Sequence, residues 1–580
     1  MYLYFRSVLV LSLFFLLNQH LLPAQSILID ENFSDWDSVP SYSEEMSGDA
    51  DGGAIDILDL KVSSDSEYIY FYISTDQEFL LQDNPGLTIL IDSDNNPNTG
   101  QSFADIGYDL RYNLGGRSGE ILGTASEEIN SYDIGLVSAP TVSSDTFEFK
   151  IDRNIMSGGN ELFASQTIKF AFRTQSSNGD LAPDNPIDLN YILSDEQYQS
   201  GPISLDKLNP EDIRVLSYNV LRDNLFDTNV QAPFERIFKA IDPDIIGLQE
   251  VYNNSGAEAA NLIETFLPSE NGESWHHGDV GNDNLIVSRF PVIDQKAVSG
   301  NAAYLLDLSS TKLLVVVAHP PCCTNDEGRQ EEFDAIMSFI RDSQSGLEFN
   351  LAKDTPILII GDMNLVGLNR QVETLLSGDI ADEGRFGPDF NPDWDGTSFE
   401  DTRPENPGSP TTFTWYNQNS SFSAGRLDYI VYSGSVWEIQ NSFSLFTPAL
   451  SDDMLTENGL QKDDTIVASD HLPLVADFRP KMSTSILSPS ETPSDIKLHQ
   501  NFPNPFNPTT TIRYSLPNRG MVTLEVFGMT GRKIANLVQE VQPAGEHAVT
   551  WEAGNEASGL YFIRLSANKK TVTGKMMLLK

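Results

Sequence analysis

The sequence predicts a multidomain chain: a β-sandwich, then an α/β domain, then a second, smaller β-sandwich. Three observations predict it. Period-two alternation of apolar and polar residues, with no long helical period, fills positions 26–205. Continuous aliphatic runs then alternate with helix-spaced stretches from Ile213 to Phe478. After "KMSTSILSPSETPSD", a Ser/Thr/Pro-rich linker over 481–495, short strands separated by turn residues resume over 496–580. At 580 residues the chain is too long for a single core.

The first element is not part of the fold. "MYLYFRSVLVLSLFFLLNQHLLPAQS" has one Arg, an apolar run from Val8 to Leu17 and a small residue at Ala24, the pattern of a secretory signal peptide over residues 1–25. A membrane anchor is the alternative, but Asn18, Gln19 and His20 end the run and it is short for a span. Export exposes thiols to oxidation. The charge balance is strongly acidic: 84 Asp plus Glu against 36 Lys plus Arg, a formal net charge of −48. Such a surface repels polyanions and argues against strong nonspecific duplex-DNA binding. It suits hard cations such as Ca2+ and Mg2+.

In the first sandwich, alternation is clear in "EYIYFYIS" (Glu67–Ser74), "GLTILIDS" (Gly86–Ser93), "TFEFKID" (Thr146–Asp152) and "TIKFAFRT" (Thr167–Thr174). Asp92, Asp94 and Asn96 alternate oxygen-bearing side chains as a calcium loop would. The EF-hand pattern is incomplete, lacking the sixth-position Gly and the distal Glu, and a turn built from turn-favouring residues accounts for them equally well. The stretches "DENFSDWDSVP", "DLKVSSDSEYIYFYIS" and "LIDSDNNPNTGQSFADIGYDLRYN" resemble the carbohydrate-binding family 9-like sandwich of secreted bacterial proteins. That resemblance makes a glycan a candidate partner, although fold alone assigns no ligand.

The α/β domain, 210–480, ends successive strands in residues a core would not choose. Asn219 ends "VLSYN", Glu250 ends "IIGLQE", His319 ends "LLVVVAH", and Asp362 and Asn364 end "ILIIGDMN". Asp428 lies in "GRLDYIVY", and Asp470 and His471 open "DHLPLVADF". Any one of these fits a cap or turn. Together they place carboxylates, amides and imidazoles where ligand sites of open sheets form. Phosphate-ester hydrolysis needs these groups: a hard cation held by oxygen, a base for water, and donors for the charge on phosphorus.

The ordered set "SYNV", "LQEV", "DNLIVSRFPV", "VVAH", "IIGDMN", "GRLDYIVYS" and "SDHLPLV" resembles the endonuclease/exonuclease/phosphatase superfamily over roughly Arg214 to Pro480. The resemblance implies a four-layer, deoxyribonuclease-like sandwich with two central sheets and helices outside. It implies Glu250 as main metal ligand with Asn219 beside it, Asp470 completing or approaching the site, and Mg2+ (or Mn2+ or Ca2+) as cofactor. Asp362 would orient or deprotonate water, Asn364 would hold a phosphate oxygen, and Asp428 would pair with His471. His319 would be a second imidazole at the phosphate. Whether His471 acts as acid, base or electrostatic clamp stays open.

The C-terminal segment, with "NFPNPFNPTTTIRY" and "SGLYFIRL", closely resembles the type A sorting domain of the type IX secretion system. That implies handling by the type IX machinery and a secreted or cell-surface protein, expected to act as a monomer.

The expected function is an exported, divalent-metal-dependent phosphoesterase, with nucleic acid as the leading substrate. A phospholipid, sphingomyelin or small phosphoester is the alternative, and a non-catalytic surface binding protein is the reading from another class. No Lys or Arg lies between Lys239 and Arg289, so Arg222, Arg289, Arg329 and Arg426 are the arginines available to a phosphate backbone. His276 and His277 either line the site or sit in a solvated loop. Cys322 and Cys323, the two cysteines of the chain, follow His319 and two prolines. Adjacent thiolates suit one ion poorly. The expectation is a vicinal disulfide, strained because neighbouring Cα atoms sit closer than a disulfide prefers, that stiffens the His319 loop.

Overall fold

A computed structural model of the chain describes residues 27–44, 55–83, 86–123, 126–174, 179–198, 201, 203–269, 274–481, 496–499, 501, 504–517, 520–542, 545–554, 556–567 and 570–580. The expected signal peptide and the expected linker beyond Lys481 lie outside them. Among the described residues no helix is long and apolar enough to cross a membrane. The chain divides into two compact units, Met1–Lys481 and Met482–Lys580.

The first unit opens with an antiparallel sandwich. One sheet runs Ser41–Glu44, Ile57–Ser64, Tyr68–Phe79, Ser144–Asp152, Val137–Ala139. The other is centred on Leu87–Asp92, between Thr167–Thr174 and Leu110–Asn113. The alternation in the sequence sends every second residue inward. Phe71 of the first sheet stands 5.5 Å from Phe170 and 5.6 Å from Phe172 of the second, ring centroid to centroid.

The rest of the unit is built on two six-stranded sheets. One runs His276–Gly278, Leu285–Ser288, Ile245–Gln249, Ile213–Asn219, Leu474–Pro480, Trp437–Ser444. The other runs Val292–Val298, Asn301–Asp307, Lys312–Ala318, Ile357–Asp362, Asp428–Tyr432, Glu400–Asp401. Between the sheets lies a core that includes Val215, Ile245, Tyr304, Val317, Ile360 and Leu474. The sheets approach closely at Gly247, where a Cβ would sit 2.6 Å from Ile360 Cδ1. The central strands are therefore buried on both faces, which is why they read as unbroken aliphatic runs rather than as alternation.

Helices cover the outer faces. Gln231–Ile241 and Gly256–Phe266 pack on the first sheet, through Phe234, Ile237 and Ile263. Asp326–Gln344 and Arg370–Ser377 pack on the second, through Phe333, Ile336, Ile340 and Leu375. Helix, sheet, sheet and helix make four layers. A fork of charge is locked into the first sheet: Arg214 and Asp477, both buried, meet through two N–O contacts of 2.7 Å.

The second unit is a small two-sheet β fold. Lys497–Leu498, Thr509–Leu516 and Gly545–Glu552 form one sheet, and Lys533–Gln542, Gly520–Gly528, Gly559–Ala567 and Lys570–Leu578 the other. Ile512, Tyr514, Leu524, Trp551, Ile563 and Leu565 belong to the core between them.

Candidate active site

Strand direction assembles the site. Ile213–Asn219 runs parallel to Ile245–Gln249, and Lys312–Ala318 parallel to Ile357–Asp362. The C-terminal ends of each pair therefore lie side by side, bringing Asn219 next to Glu250 and His319 next to Asp362. Asp428 opens the antiparallel neighbour, opposite Asp362 in the register. The Leu474–Pro480 strand, antiparallel to Ile213–Asn219, begins just after Asp470 and His471. Gly361 is required before Asp362: its φ is 144°, and a Cβ there would lie 1.9 Å from the Ala318 carbonyl oxygen.

Asp362 is the hub. Its Oδ2 lies 3.5 Å from His319 Nε2 and 3.5 Å from His471 Nε2. It also accepts the Asn219 side-chain amide at 3.1 Å, and that amide donates to Glu250 Oε1 at 3.2 Å. Behind each imidazole stands a second carboxylate: Asp428 Oδ2 is 2.9 Å from His471 Nδ1, and Asp283 Oδ2 is 2.6 Å from His319 Nδ1. The Thr414 hydroxyl donates to Asp428 at 2.7 Å. Asp470 Oδ2 accepts Trp415 Nε1 at 3.2 Å and Asn417 Nδ2 at 3.1 Å.

These neighbours set the charge states. Burial disfavours the His319 imidazolium, but the hydrogen bond to Asp283 and the charges of Asp362, Asp283 and Glu250 outweigh it and raise the pKa to about 9. For His471, burial is likewise outweighed, by Asp428 and Asp362 above all, and the pKa rises to about 10. Burial pushes Asp428 up to about 6, against the pull of His471. Both imidazoles are thus held as cations near neutral pH.

The backbone is strained around Glu250. Glu250 itself has φ 61° and Asn364 φ 49°, and Leu221, Arg222 and Asp223 are three consecutive left-handed residues without a glycine. Such conformations persist where surroundings hold them. Here Leu221 N donates to Asn219 Oδ1, Arg222 N to Glu250 Oε2, and Asp223 N to the Glu250 carbonyl. The turn displays the exposed Arg222 beside the carboxylate cluster.

The donor set fits a hard divalent cation. Glu250, Asp283, Asp362, Asp428 and Asp470 converge, and Asp470 Oδ1 is buried with no hydrogen-bond partner among the described residues. Single ligand atoms of Asp362, Asp428 and His471 also lie within 4.8 Å of one another. Asp428 and His471 are bonded to each other; Asp428 Oδ1 and Asp470 Oδ1 are both buried without a hydrogen-bond partner among the described residues, while both Glu250 oxygens accept hydrogen bonds.

Several sequence expectations meet a different geometry. The Asn364 amide donates to the Pro320 carbonyl at 3.0 Å and thereby holds the His319 loop. Arg329 is wholly buried and donates to the Pro321 carbonyl at 2.7 Å, to Cys323 O and to Gln371, so it is not placed to meet a phosphate. Arg426 is buried against Glu31 and Asp401, and Arg289 lies over Trp275 beside Asp242. Of the four arginines only Arg222 makes no ion pair among the described residues. His276 and His277 form an edge strand with Gly278, and His277 is exposed. In the first sandwich, Asp92 and Asp94 group with Asp109, whereas Asn96 turns its side-chain oxygen to Asn98 N at 3.1 Å. All three carboxylates accept hydrogen bonds from their own loops or neighbours, as a turn requires.

Cys322 and Cys323 are joined, exposed, with Cα atoms 3.8 Å apart. The loop carrying His319 is also held by other groups: Asn301 Oδ1 accepts His319 N at 2.8 Å, and Asn364 and Arg329 bind the carbonyls that follow. Thiol titration of the unreduced, denatured protein is expected to find no free thiol; two per chain would show the pair reduced.

Sequence reasoning missed Asp283, Asn301, Thr414, Trp415 and Asn417. Asp283 stands at the head of the motif "DNLIVSRFPV" and could have been found there. Trp415 and Asn417 come from a loop with no local periodicity, and only folding brings them to Asp470.

Residues 216–471 match the Endonuclease/Exonuclease/phosphatase family, and residues 500–579 match the secretion system C-terminal sorting domain. The central domain is thus that of a hydrolytic phosphoesterase, and the C-terminal unit is a sorting domain that directs the protein to the surface or the medium. Similar solved structures include the human Nocturnin catalytic domain with bound sulfate, at 16% identity over 46% of this chain and 94% of that one, TM-score 0.29. TDP2 from D. rerio, complexed with a single-strand DNA product, is 16% identical over 46% of this chain and 99% of its own, TM-score 0.31. A family protein from Leptotrichia buccalis is 13% identical over 46% and 99%, TM-score 0.32. No curated protein matches the chain.

Proposed function

We propose that the protein is an exported, divalent-metal-dependent phosphodiesterase acting on nucleic acid. The observation that carries this reading is Asp362, shared by two imidazoles at 3.5 Å, each backed by its own carboxylate. Two cationic donors facing one carboxylate suit a phosphate with an attacking water beside it. Asp362 orients the water and takes its proton. His319 and His471 donate through Nε2 to phosphate oxygens, and His471 can pass a proton to the leaving oxygen. Glu250 and Asp470, with Asn219 beside them, would hold Mg2+, Mn2+ or Ca2+. Such an ion neutralises phosphate oxygens and the leaving oxygen. Without it, five converging carboxylates would repel a phosphate. Asn364 serves the phosphate by placing His319 through the Pro320 carbonyl.

Two groups favour a nucleic acid. Arg222 offers a charge for a neighbouring phosphate. Tyr252, 54% exposed, presents a ring on which a base can stack. The lack of Lys and Arg between Lys239 and Arg289 favours single strands and chain ends over a wide duplex grip.

The test is a panel of plasmid, single-stranded DNA, RNA, sphingomyelin and nucleotide esters, each with Mg2+, Mn2+, Ca2+ or excess chelator. Single-stranded nucleic acid should be cleaved fastest, and chelator should remove nearly all turnover. Full activity in chelator would sink the metal mechanism. A preference for sphingomyelin would replace the substrate assignment.

A further inference from the structure

The first sandwich and the catalytic domain share a core. In the strand Tyr68–Phe79, Ile69, Phe71 and Ile73 face the sandwich interior. Tyr70, on the opposite face, is buried with Trp36 and Val137 against Phe413, Ala424 and Leu472 of the catalytic domain. Residues 411–427 run through this contact, and one side of the segment belongs to the sandwich. Ile29 pairs with Thr411, and Val137 with Ala424. The Thr141 hydroxyl donates to the Leu365 carbonyl at 2.7 Å and the Arg426 carbonyl at 3.1 Å. Asn417 N donates to the Tyr132 hydroxyl at 3.0 Å, and the Tyr132 ring packs edge-on to Tyr416 at 5.0 Å.

The other side of the same segment belongs to the active site. Trp415 pairs with His471, and Tyr416 N donates to the Asp470 carbonyl at 2.8 Å. Trp415 Nε1 and Asn417 Nδ2 both end on Asp470 Oδ2, leaving Oδ1 without a partner. The orientation of that carboxylate is therefore set by two donors whose backbone rests on the sandwich. Partners one shell behind a metal ligand commonly control affinity by fixing the ligand's direction.

We propose that the first sandwich is the rear wall of the active site, and that Tyr132 is a positioning residue that fixes Asp470 through Asn417. The proposal rests on Asp470 being a ligand of the catalytic ion. Tyr132→Phe keeps the ring on Tyr416 and removes the hydroxyl that receives Asn417 N. The loop then loses one anchor, and Asp470 samples directions in which it does not meet the ion.

The experiment is calorimetric Mn2+ titration of the full chain, without substrate, for wild type, Tyr132→Phe, Asp470→Asn and Tyr70→Phe. Tyr70→Phe is the control: it also removes a sandwich hydroxyl, one bonded to Asp65 at 2.6 Å rather than to the 411–427 segment, while its ring stays in the shared core. Tyr132→Phe is expected to weaken Mn2+ binding roughly three- to tenfold, with a melting temperature no lower than that of Tyr70→Phe, which binds as wild type. Wild-type affinity in Tyr132→Phe beside weakened Asp470→Asn would overturn the positioning role alone. Equal weakening by Tyr132→Phe and Tyr70→Phe would also overturn it, as general loosening of the sandwich. Wild-type affinity in Asp470→Asn would remove Asp470 from the ion, and this proposal with it.

Discussion

Replacing His471 with glutamine is expected to cut turnover roughly 10²–10⁴-fold while leaving the protein folded. Glutamine retains a hydrogen-bonding group beside Asp428 but carries no charge. Asp428 is buried, and its second oxygen already lacks a partner among the described residues. Alanine would leave it with the Thr414 hydroxyl and would lower stability as well as activity. The pair of substitutions thus separates the two effects. Both should lose turnover, and only His471→Ala should melt clearly lower. The loss should fall on kcat rather than KM, because a donor to developing charge acts in the transition state. Initial rates with the best substrate of the panel decide it. Near-wild-type kcat in His471→Gln would take the residue out of the chemistry.

Arg426→Met should behave in the opposite way: a large stability loss with KM little changed. The guanidinium is buried, 2.6 Å from Asp401 Oδ2 and 3.2 Å from Glu31 Oε2, and it lies over the Tyr429 ring at 4.0 Å. Removing it leaves two carboxylates facing each other in a water-poor contact. Breaking such a buried pair costs about 3–5 kcal/mol. Arg426→Lys should recover part of that at most, since an ammonium cannot span both carboxylates as the planar fork does. The measurement is the urea midpoint of the full chain beside KM for the substrate. A raised KM at an unchanged midpoint would mean that Arg426 meets phosphate after all, the role its place in the sequence suggested.

How much of the site was legible follows from where its residues stand. Asn219, Glu250, His319, Asp362 and His471 each follow or precede a buried strand, so a polar residue there breaks a strong local pattern. The sequence shows the break. It does not show that Asn364 turns its amide to Pro320, or that Arg329 is spent on the carbonyls beyond His319. A guanidinium or amide looks equally available in any loop until the atoms around it are placed. The vicinal cysteines are a similar case. Their adjacency suggested a brace for His319, and the structure adds Asn301, Asn364 and Arg329, whose hydrogen bonds hold the same loop.

The alternation of "EYIYFYIS" held a further message. Its tyrosines alternate with Ile69, Phe71 and Ile73, so the strand has an apolar body on both faces. Period two reports that the faces differ, but it does not say that Tyr70 is covered by another domain. Here that cover is Phe413, Ala424 and Leu472.

By itself, then, the sequence pointed to a multidomain, β-rich chain with a phosphoesterase domain and a sorting domain, and to titratable groups at the ends of buried strands. Those features depend on local periodicity and on residue type, which are written position by position. Only the tertiary structure decided that Asp283 backs His319, that Trp415 and Asn417 aim Asp470, and that the first sandwich stands behind them. These depend on contacts between segments far apart in the chain, such as Tyr132 with Asn417, whose pairing no local pattern encodes.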